Sequence, residues 1–401
     1  MSDPAMDAAG SSLPLTSPRN TAVPRSASDA RADSAGKEHV IDAMRGFAAL
    51  LVAYFHCRQV AWVGMQAFHQ SVGHALSLNA IAAYLTFPIA WGSAGVPIFF
   101  VISGYCIHRG GALRLASNPD YRLDTGNFWV RRFTRIYPVL LAALVLTLAL
   151  DSFSLQLLPV SHKIREIGLQ AFLVNLFSLQ GVAGKTFGSN GALWTLSLEV
   201  QFYAIYPLLF ALRRRIGMTS VLAIVAVVNV VSACMLERHD IQFFTSYWFS
   251  WTLGAWIADA RVRRAAQDSA SLWLYGLAAA FIALGCAAFH FGQYGAFQLW
   301  AIGFAFYLYK ALERRNQRGG FGMRVLSRFG DFSFSLYLIH LPIFVLLSSL
   351  LFRSSLQMSI WPSFGYMLVA VPVAYVFYRL IELPAMTWSA SFKPKSNRKP
   401  A

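Results

Sequence analysis

Long apolar stretches, separated by short polar or basic connectors, run along most of this chain. They fall near residues 41–62, 80–108, 135–151, 193–212, 218–236, 242–259, 271–290, 294–312, 332–352 and 361–382. Most approach the roughly 17–25 residues that a helix needs to cross a bilayer core. The pattern predicts an all-α fold, a polytopic transmembrane helical bundle of about ten spans. One stretch is out of step. Residues 165–180 (REIGLQAFLVNLFSLQ) are apolar but short, and if they crossed, Arg213, Arg214 and Arg215 would move to the opposite side. They are therefore expected to form a re-entrant or interfacial helix. The second stretch is interrupted by Pro88, Gly92, Gly95 and Pro97. Proline removes a backbone donor and kinks a helix. Broken backbone survives at membrane depth only where protein buries it or water lines it. The break is thus either a cavity wall or a packing kink.

Charge orients the spans. With the N-terminus inside, Arg109, Arg114, Arg122, Arg131, Arg132, Arg135, Arg213–Arg215, Arg261, Arg263, Arg264, the 310–328 connector and the 393–399 tail all fall on the cytoplasmic side. Outside remain only Lys163, Arg165, Lys185, Arg238 and Arg353. That bias matches the positive-inside rule and puts both termini in the cytoplasm. The composition agrees, with hydrophobic residues at 56% and charged residues at 13%, against about 25% charged in an average soluble domain. The net charge of +16 is spread over short loops, so no nucleic-acid partner is expected. Residues 1–38, rich in Ser, Ala, Pro and Asp, read as a disordered cytoplasmic tail without a signal peptide. Residues 389–401 read as a basic cytoplasmic tail.

Ionisable residues inside the apolar runs come next, because they are expensive in hydrocarbon and mark function by default. Arg45 and His56 lie on one stretch, eleven steps apart. At helical rise that is roughly 16 Å and almost three turns, so both share a face. The plainer reading has Arg45 snorkelling to the surface and His56 serving in packing. His340 lies roughly 18 Å beyond Arg328, and Glu199 roughly 21 Å before Arg213. All three therefore sit near mid-depth of a core about 30 Å thick, which predicts one shared site. Each also has a structural alternative, as a packing histidine or a hydrogen-bonded carboxyl. Glu199 and Tyr203 are i,i+4 and share a face. Cys57, Cys106, Cys234 and Cys286 form no CxxC pair and read as small core residues. His69 and His74 are five apart, the wrong spacing for a helical metal pair, and no metal is expected. There is no HExxH, P-loop or GxSxG.

Six segments taken together resemble one family. They are Asp42-Ala-Met-Arg45-Gly46 followed by His56; Gly95-Val-Pro-Ile-Phe-Phe-Val-Ile-Ser103-Gly104-Tyr105; Phe128-Trp-Val-Arg131-Arg132-Phe-Thr-Arg135-Ile-Tyr-Pro138; Trp194-Thr-Leu-Ser197-Leu-Glu199-Val-Gln201-Phe202-Tyr203; Phe332-Ser333-Phe-Ser335-Leu-Tyr337-Leu-Ile-His340; and Glu382-Leu-Pro384. In this order, over residues 39–388, the chain resembles the acyltransferase 3 family of integral membrane acyltransferases. It departs from the family pattern where Pro97 and Val200 replace acidic residues, which leaves Glu199 as the one acid of its helix. Some relatives carry a further extracytoplasmic hydrolase-like domain, and this chain is expected to be the stand-alone form.

The resemblance implies transfer of an acyl group, most often acetyl, from an acyl-CoA to a hydroxyl of a carbohydrate or glycolipid acceptor. It places the catalytic apparatus at His56, Glu199, His340 and Arg45, and donor binding at Arg131, Arg132, Arg135 and Ser103. Acyl-CoA is then a donor substrate, and no resident cofactor is expected. The chemistry fits: esterifying a hydroxyl needs a base for its proton and a stabiliser for the oxyanion. His56 could be that base, or could carry the acyl group itself. Guanidinium groups suit the donor's phosphates. The implied location is the bacterial inner (cell) membrane. The alternative is a transporter or flippase, which would need broken segments in both halves; the sequence offers one strong break, at 88–97.

Overall fold

The computed structural model describes residues 27–73, 76–236, 239, 241–263, 271–313 and 320–392, with side chains from residue 39 onward. His74, most of the N-terminal tail and the basic end of the C-terminal tail lie outside the described residues. The helices are α1 (Ala27–Ala61), α2 (Met65–Val72), α3 (Leu78–Leu85), α4 (Gly95–Ser117), α5 (Thr125–Ser154), α6 (Leu169–Leu176), α7 (Leu193–Ile216), α8 (Met218–Leu236), α9 (Trp248–Arg263), α10 (Trp273–Ala288), α11 (Gln293–Ala311), α12 (Phe321–Asp331), α13 (Ser333–Phe352), α14 (Trp361–Phe377) and α15 (Leu383–Ser391). Among the described residues there is no β-strand, so the fold is all-α. The backbone of α1 starts at Ala27, ahead of the tail boundary expected at residue 38.

Seven segments are long and apolar enough to cross a membrane: His39–Ala61, Leu78–Ser117, Thr125–Ser154, Leu193–Ile216, Met218–Leu236, Ser333–Phe352 and Trp361–Ser391. The chain is an integral membrane protein. Of the ten expected spans, the other three are occupied by α9, α10 and α11, which fall short of that standard. At 16 residues each, α9 and α10 are about 24 Å long, less than a core of about 30 Å. The 165–180 stretch forms only α6, whose eight residues reach about 12 Å. It cannot cross.

Two glycine seams set the helix spacing. A Cβ on Gly104 of α4 would meet the Trp251 carbonyl oxygen at 1.9 Å, and one on Gly254 of α9 would meet that of Val101 at 1.8 Å. Likewise, a Cβ on Gly46 of α1 would meet Leu326 O at 2.0 Å, and one on Gly330 of α12 would meet Asp42 O at 2.0 Å. Lipid gives helices no hydrophobic reason to associate, so close backbone packing through small residues supplies the contact. Both seams lie beside residues of the candidate site.

The expected break in the second span is a 3₁₀ segment, Phe87–Ala94, between α3 and α4. Gly92 packs there against Leu51 and Phe55 of α1 and is the buried residue of the segment, whereas Phe87 and Pro88 at its start are exposed. A second irregular segment is a π-helical turn, Tyr378–Glu382, between α14 and α15. YRLIE itself contains neither Gly nor Pro, but Pro384 follows two residues on and lacks the N–H that an α-helix would turn back to Leu380. Such turns recur at functional sites.

Ion pairs join the basic helix ends. Arg213, at the end of α7, reaches Asp259 of α9 at 2.5 Å, and Arg263 reaches the same carboxylate at 2.5 Å. The buried His108 of α4 stands 3.6 Å from it. Arg261 pairs with Glu313 at 3.7 Å. The ends of α7, α9 and α11 thus share one end of the bundle.

Candidate active site

Arg45 lies on α1 one turn beyond Asp42. Its Nη1 donates to Asp42 Oδ1 at 3.2 Å and its Nη2 to Cys106 Sγ of α4 at 3.4 Å. Both charged side chains keep about a third of their surface, 29% and 31%, and face a cavity of about 290 Å³. Arg132 and Arg135 of α5, Ser103 of α4 and Glu199 of α7 line the same cavity.

Glu199 is held by its neighbours. Tyr203, one turn on, donates a short hydrogen bond to Glu199 Oε1, and Ser103 Oγ donates to the same oxygen at 3.2 Å. Trp251 Nε1 donates to Ser103 Oγ at 3.3 Å, fixing that hydroxyl from the α9 side. The Arg132 guanidinium lies 5.8 Å over the Tyr203 ring, a cation–π distance. Three guanidiniums line this chamber beside four carboxylates, Asp42, Glu199, Asp331 and Glu382, so it offers an anionic ligand local guanidinium contacts rather than a net positive field.

The π turn contributes Glu382, which is 2% exposed and lines the cavity. Its Oε2 accepts from Ser335 N at 3.1 Å and from Ser335 Oγ at 2.5 Å. This carboxyl clamps the start of α13 to the end of α14. It was visible as part of the Glu382-Leu-Pro384 segment, but nothing in sequence assigned it a task.

The histidines form a separate unit. His56 Nδ1 and His340 Nε2 are 2.8 Å apart, and the rings are near parallel at an interplanar angle of 6°. His340 Nδ1 lies 3.0 Å from the Leu336 carbonyl oxygen. A carbonyl can only accept, so His340 carries its proton on Nδ1 and presents a lone pair at Nε2. His56 then donates from Nδ1, which leaves a lone pair on its Nε2. The network assigns both tautomers and one free basic nitrogen.

Neither histidine lines the cavity that holds Glu199. The expectation of a single chamber shared by His56, His340 and Glu199 is therefore corrected. Equal depth along helix axes does not measure lateral distance: α1 packs against α13, whereas α7, which carries Glu199, packs chiefly against α8. Tyr337 connects the two regions. It lines the cavity, and its ring lies 5.9 Å from His340 and 5.5 Å from Phe99. Its hydroxyl is 2.7 Å from Thr195 Oγ1, another cavity residue. Of the expected donor residues, Arg132, Arg135 and Ser103 line the main cavity. Arg131 does not; it lines an adjoining cleft, which Arg132 shares.

On the far side from Arg45, the 155–192 region is pinned by buried polar groups. Asp151 Oδ2 accepts from Ser189 N at 2.7 Å and Asp151 Oδ1 from Ser189 Oγ at 2.6 Å. Asn190 Nδ2 donates to Leu338 O at 2.8 Å and to Thr147 Oγ1 at 3.1 Å. The segment leading into the Glu199 helix is thus tied to α13, two residues from His340. Among the described residues, no group of three His, Cys, Asp or Glu is placed to hold a metal ion. His69 instead reaches the Tyr84 hydroxyl at 2.7 Å.

Comparison with known proteins supplies the last observation. Nodulation protein 10 of Rhizobium leguminosarum is 26% identical over 396 residues, covering 88% of this chain and 94% of that protein. A candidate peptidoglycan O-acetyltransferase of Bacillus subtilis, YrhL, is 32% identical over 173 residues, 40% of this chain and 26% of its own length. The peptidoglycan O-acetyltransferase OatA of Listeria monocytogenes is 30% identical over 146 residues, 33% of this chain and 22% of its own. The chain therefore spans only about a quarter of each of these two relatives. No solved structure matches it. Residues 38–379 match the family profile described as an acyltransferase domain, and with most of its length covered, the chain belongs to the acyltransferase 3 family.

Proposed function

We propose that this protein moves an acyl group, in the first instance acetyl, from acyl-CoA to a hydroxyl of a carbohydrate or glycolipid, within the inner (cell) membrane of a bacterium. Ten spans leave both termini, and the Arg45 end of the bundle, in the cytoplasm, where acyl-CoA is made. Relatives named for peptidoglycan O-acetylation support an envelope glycan as acceptor.

The observation that carries the reading is the histidine pair. His340, oriented by Leu336 O, accepts from His56 Nδ1 and leaves His56 Nε2 to take a proton. The acceptor hydroxyl gives that proton to Nε2 as its oxygen bonds to the thioester carbonyl carbon. The carbon–sulfur bond then breaks, and the proton returns to the departing thiolate. Products are the ester and free CoA thiol. Arg45, Arg132 and Arg135 hold the donor's phosphate-bearing arm in the cavity, and Glu199, Tyr203 and Ser103 shape the wall along which it lies. A carrier would also use two irregular segments, but carriage forms no ester and releases no thiol.

The test is direct. Purified protein in lipid nanodiscs, given acetyl-CoA and a glycan fraction, should release thiol in step with acetyl ester detected by mass spectrometry. Glycan movement across a vesicle membrane without ester formation would favour the carrier.

A further inference from the structure

Pro342 stands inside α13, two residues beyond His340. Proline has no N–H, so the carbonyl one turn back, that of Leu338, has no helical donor. His340 lies midway between the two. An unpaired carbonyl buried in a membrane protein is costly, and helices broken by proline are tolerated where neighbouring side chains satisfy the freed group. Here the donor is Asn190 Nδ2, 2.8 Å from Leu338 O. Both residues are fully buried.

The amide is held in place from α5. Asn190 Nδ2 gives its other proton to Thr147 Oγ1 at 3.1 Å. That hydroxyl donates in turn to Ala143 O at 2.8 Å, so toward Asn190 it is an acceptor. Asn190 N donates to Phe187 O at 3.0 Å, and the preceding Ser189 is bound twice by Asp151. Both amide protons are thus used, while Asn190 Oδ1 is buried without a partner among the described residues. Packing alone does not explain so costly a side chain; a carbonyl that needs a donor does. The same device recurs on α7. Pro207 removes the N–H that would reach Tyr203 O, and Trp129 Nε1 of α5 donates to that carbonyl at 3.1 Å. One capped carbonyl adjoins His340; the other belongs to the residue that binds Glu199.

We propose that Asn190 is a positioning residue for the histidine pair: by capping Leu338 O it fixes the bend of α13, and so sets where His340 Nε2 meets His56 Nδ1. The proposal rests on the acyl-transfer reading above. An uncapped carbonyl would turn toward whatever donor it could reach, and α13 would rebend about Pro342. His340 would move within that bend, and a displacement of about 1 Å at a reacting group is enough to cost roughly 10²-fold in rate. Trp129 holds the wall of Glu199 and Tyr203 in the same way, so its loss is read in donor binding instead.

The experiment is a double-mutant cycle on the full chain in nanodiscs. Asn190→Leu keeps the volume and removes the donor. It should lower kcat by about tenfold to 10²-fold, lower the thermal midpoint, and leave the acetyl-CoA KM within about twofold of wild type. Pro342→Ala returns an N–H to Leu338 O. In that background Asn190→Leu should cost less than about threefold in kcat and leave the thermal midpoint near that of Pro342→Ala alone. Trp129→Phe should instead raise the acetyl-CoA KM about threefold, with kcat nearly unchanged. Equal losses from Asn190→Leu in both backgrounds, or a lower thermal midpoint with kcat intact, overturns the proposal. So does an Asn190→Leu protein that misfolds both with Pro342 and without it. A wild type that transfers no acetyl removes the acyl-transfer reading and the positioning role with it, whereas the thermal cycle still reports whether Asn190 caps Leu338 O.

Discussion

The arginine-lined cavity and the histidine pair share two helices, yet they are opposite in kind. α1 carries Arg45 into the first and His56 into the second; α13 carries Ser333 into the first and His340 into the second. The cavity is roomy and polar, with three guanidiniums, which have donors to spare, set among four carboxylates. The pair is close-packed: His340 is fully buried, and its two nitrogens are matched to one donor and one acceptor. Two residues almost three turns apart on one helix can therefore do different things, one gripping a charged handle and the other moving a proton. Hydrocarbon makes this separation necessary, because a polyanion needs wet, charged surroundings while a neutral imidazole is tolerated in a drier one.

The comparison breaks most sharply at His56. His56→Ala should lower kcat by about 10²–10⁴-fold, the usual worth of a positioned general base, while donor affinity, measured by CoA competition, stays near wild type. Full transfer activity in a folded variant would leave the pair without a chemical role. Next comes His340→Ala. It removes the acceptor that fixes the His56 tautomer, and kcat should fall roughly tenfold with donor KM unmoved. His340→Gln, whose side-chain oxygen can accept the same hydrogen bond, should recover part of the loss. Failure of Gln to do better than Ala would point to packing instead.

A smaller effect, in a different constant, is expected at Glu199. Its hydrogen bonds go to Tyr203 and Ser103, not to His56. Glu199→Gln should therefore raise the apparent donor KM by about threefold to tenfold, as two charge-assisted bonds become neutral ones, with a lesser change in kcat. A collapse of kcat at constant KM would return Glu199 to the histidine pair and restore the single-chamber picture.

Much of the architecture was legible in sequence, because hydrocarbon leaves a helical chain few choices. The apolar runs place α1, α4, α5, α7, α8, α13 and α14, and the shortness of 165–180 foretells an element like α6 that cannot cross. The shared face of Arg45 and His56 follows from helical pitch. What sequence hides is lateral. His56 and His340 are 284 positions apart and meet at 2.8 Å, whereas Glu199, at matched depth, belongs to another chamber. Axial rise measures depth alone; which helices adjoin depends on contacts such as the Gly104–Gly254 and Gly46–Gly330 seams, whose partners no spacing rule pairs. The π turn was hidden for a related reason. Its Glu382 binds Ser335 across the bundle, a contact that the nearby Pro384 does not announce.

The finest test lies at Tyr337, which touches both regions. Its ring packs on His340 and Phe99, and its hydroxyl meets Thr195 at 2.7 Å. Tyr337→Phe keeps the ring and deletes only the oxygen. If that hydroxyl is what the thioester carbonyl meets when the acyl arm reaches toward His56, it supplies a hydrogen bond as the oxyanion forms, and its loss should lower kcat by about threefold to tenfold without moving donor KM. Thr195 matters because it holds the hydroxyl in place. Thr195→Val should cost a similar amount, and the double variant should lose little beyond either single one, since both act through one contact. Additive losses would mean that the two hydroxyls serve separate ends. An unchanged kcat in Tyr337→Phe would leave the ring as a packing wall, with cavity and pair joined by some other path.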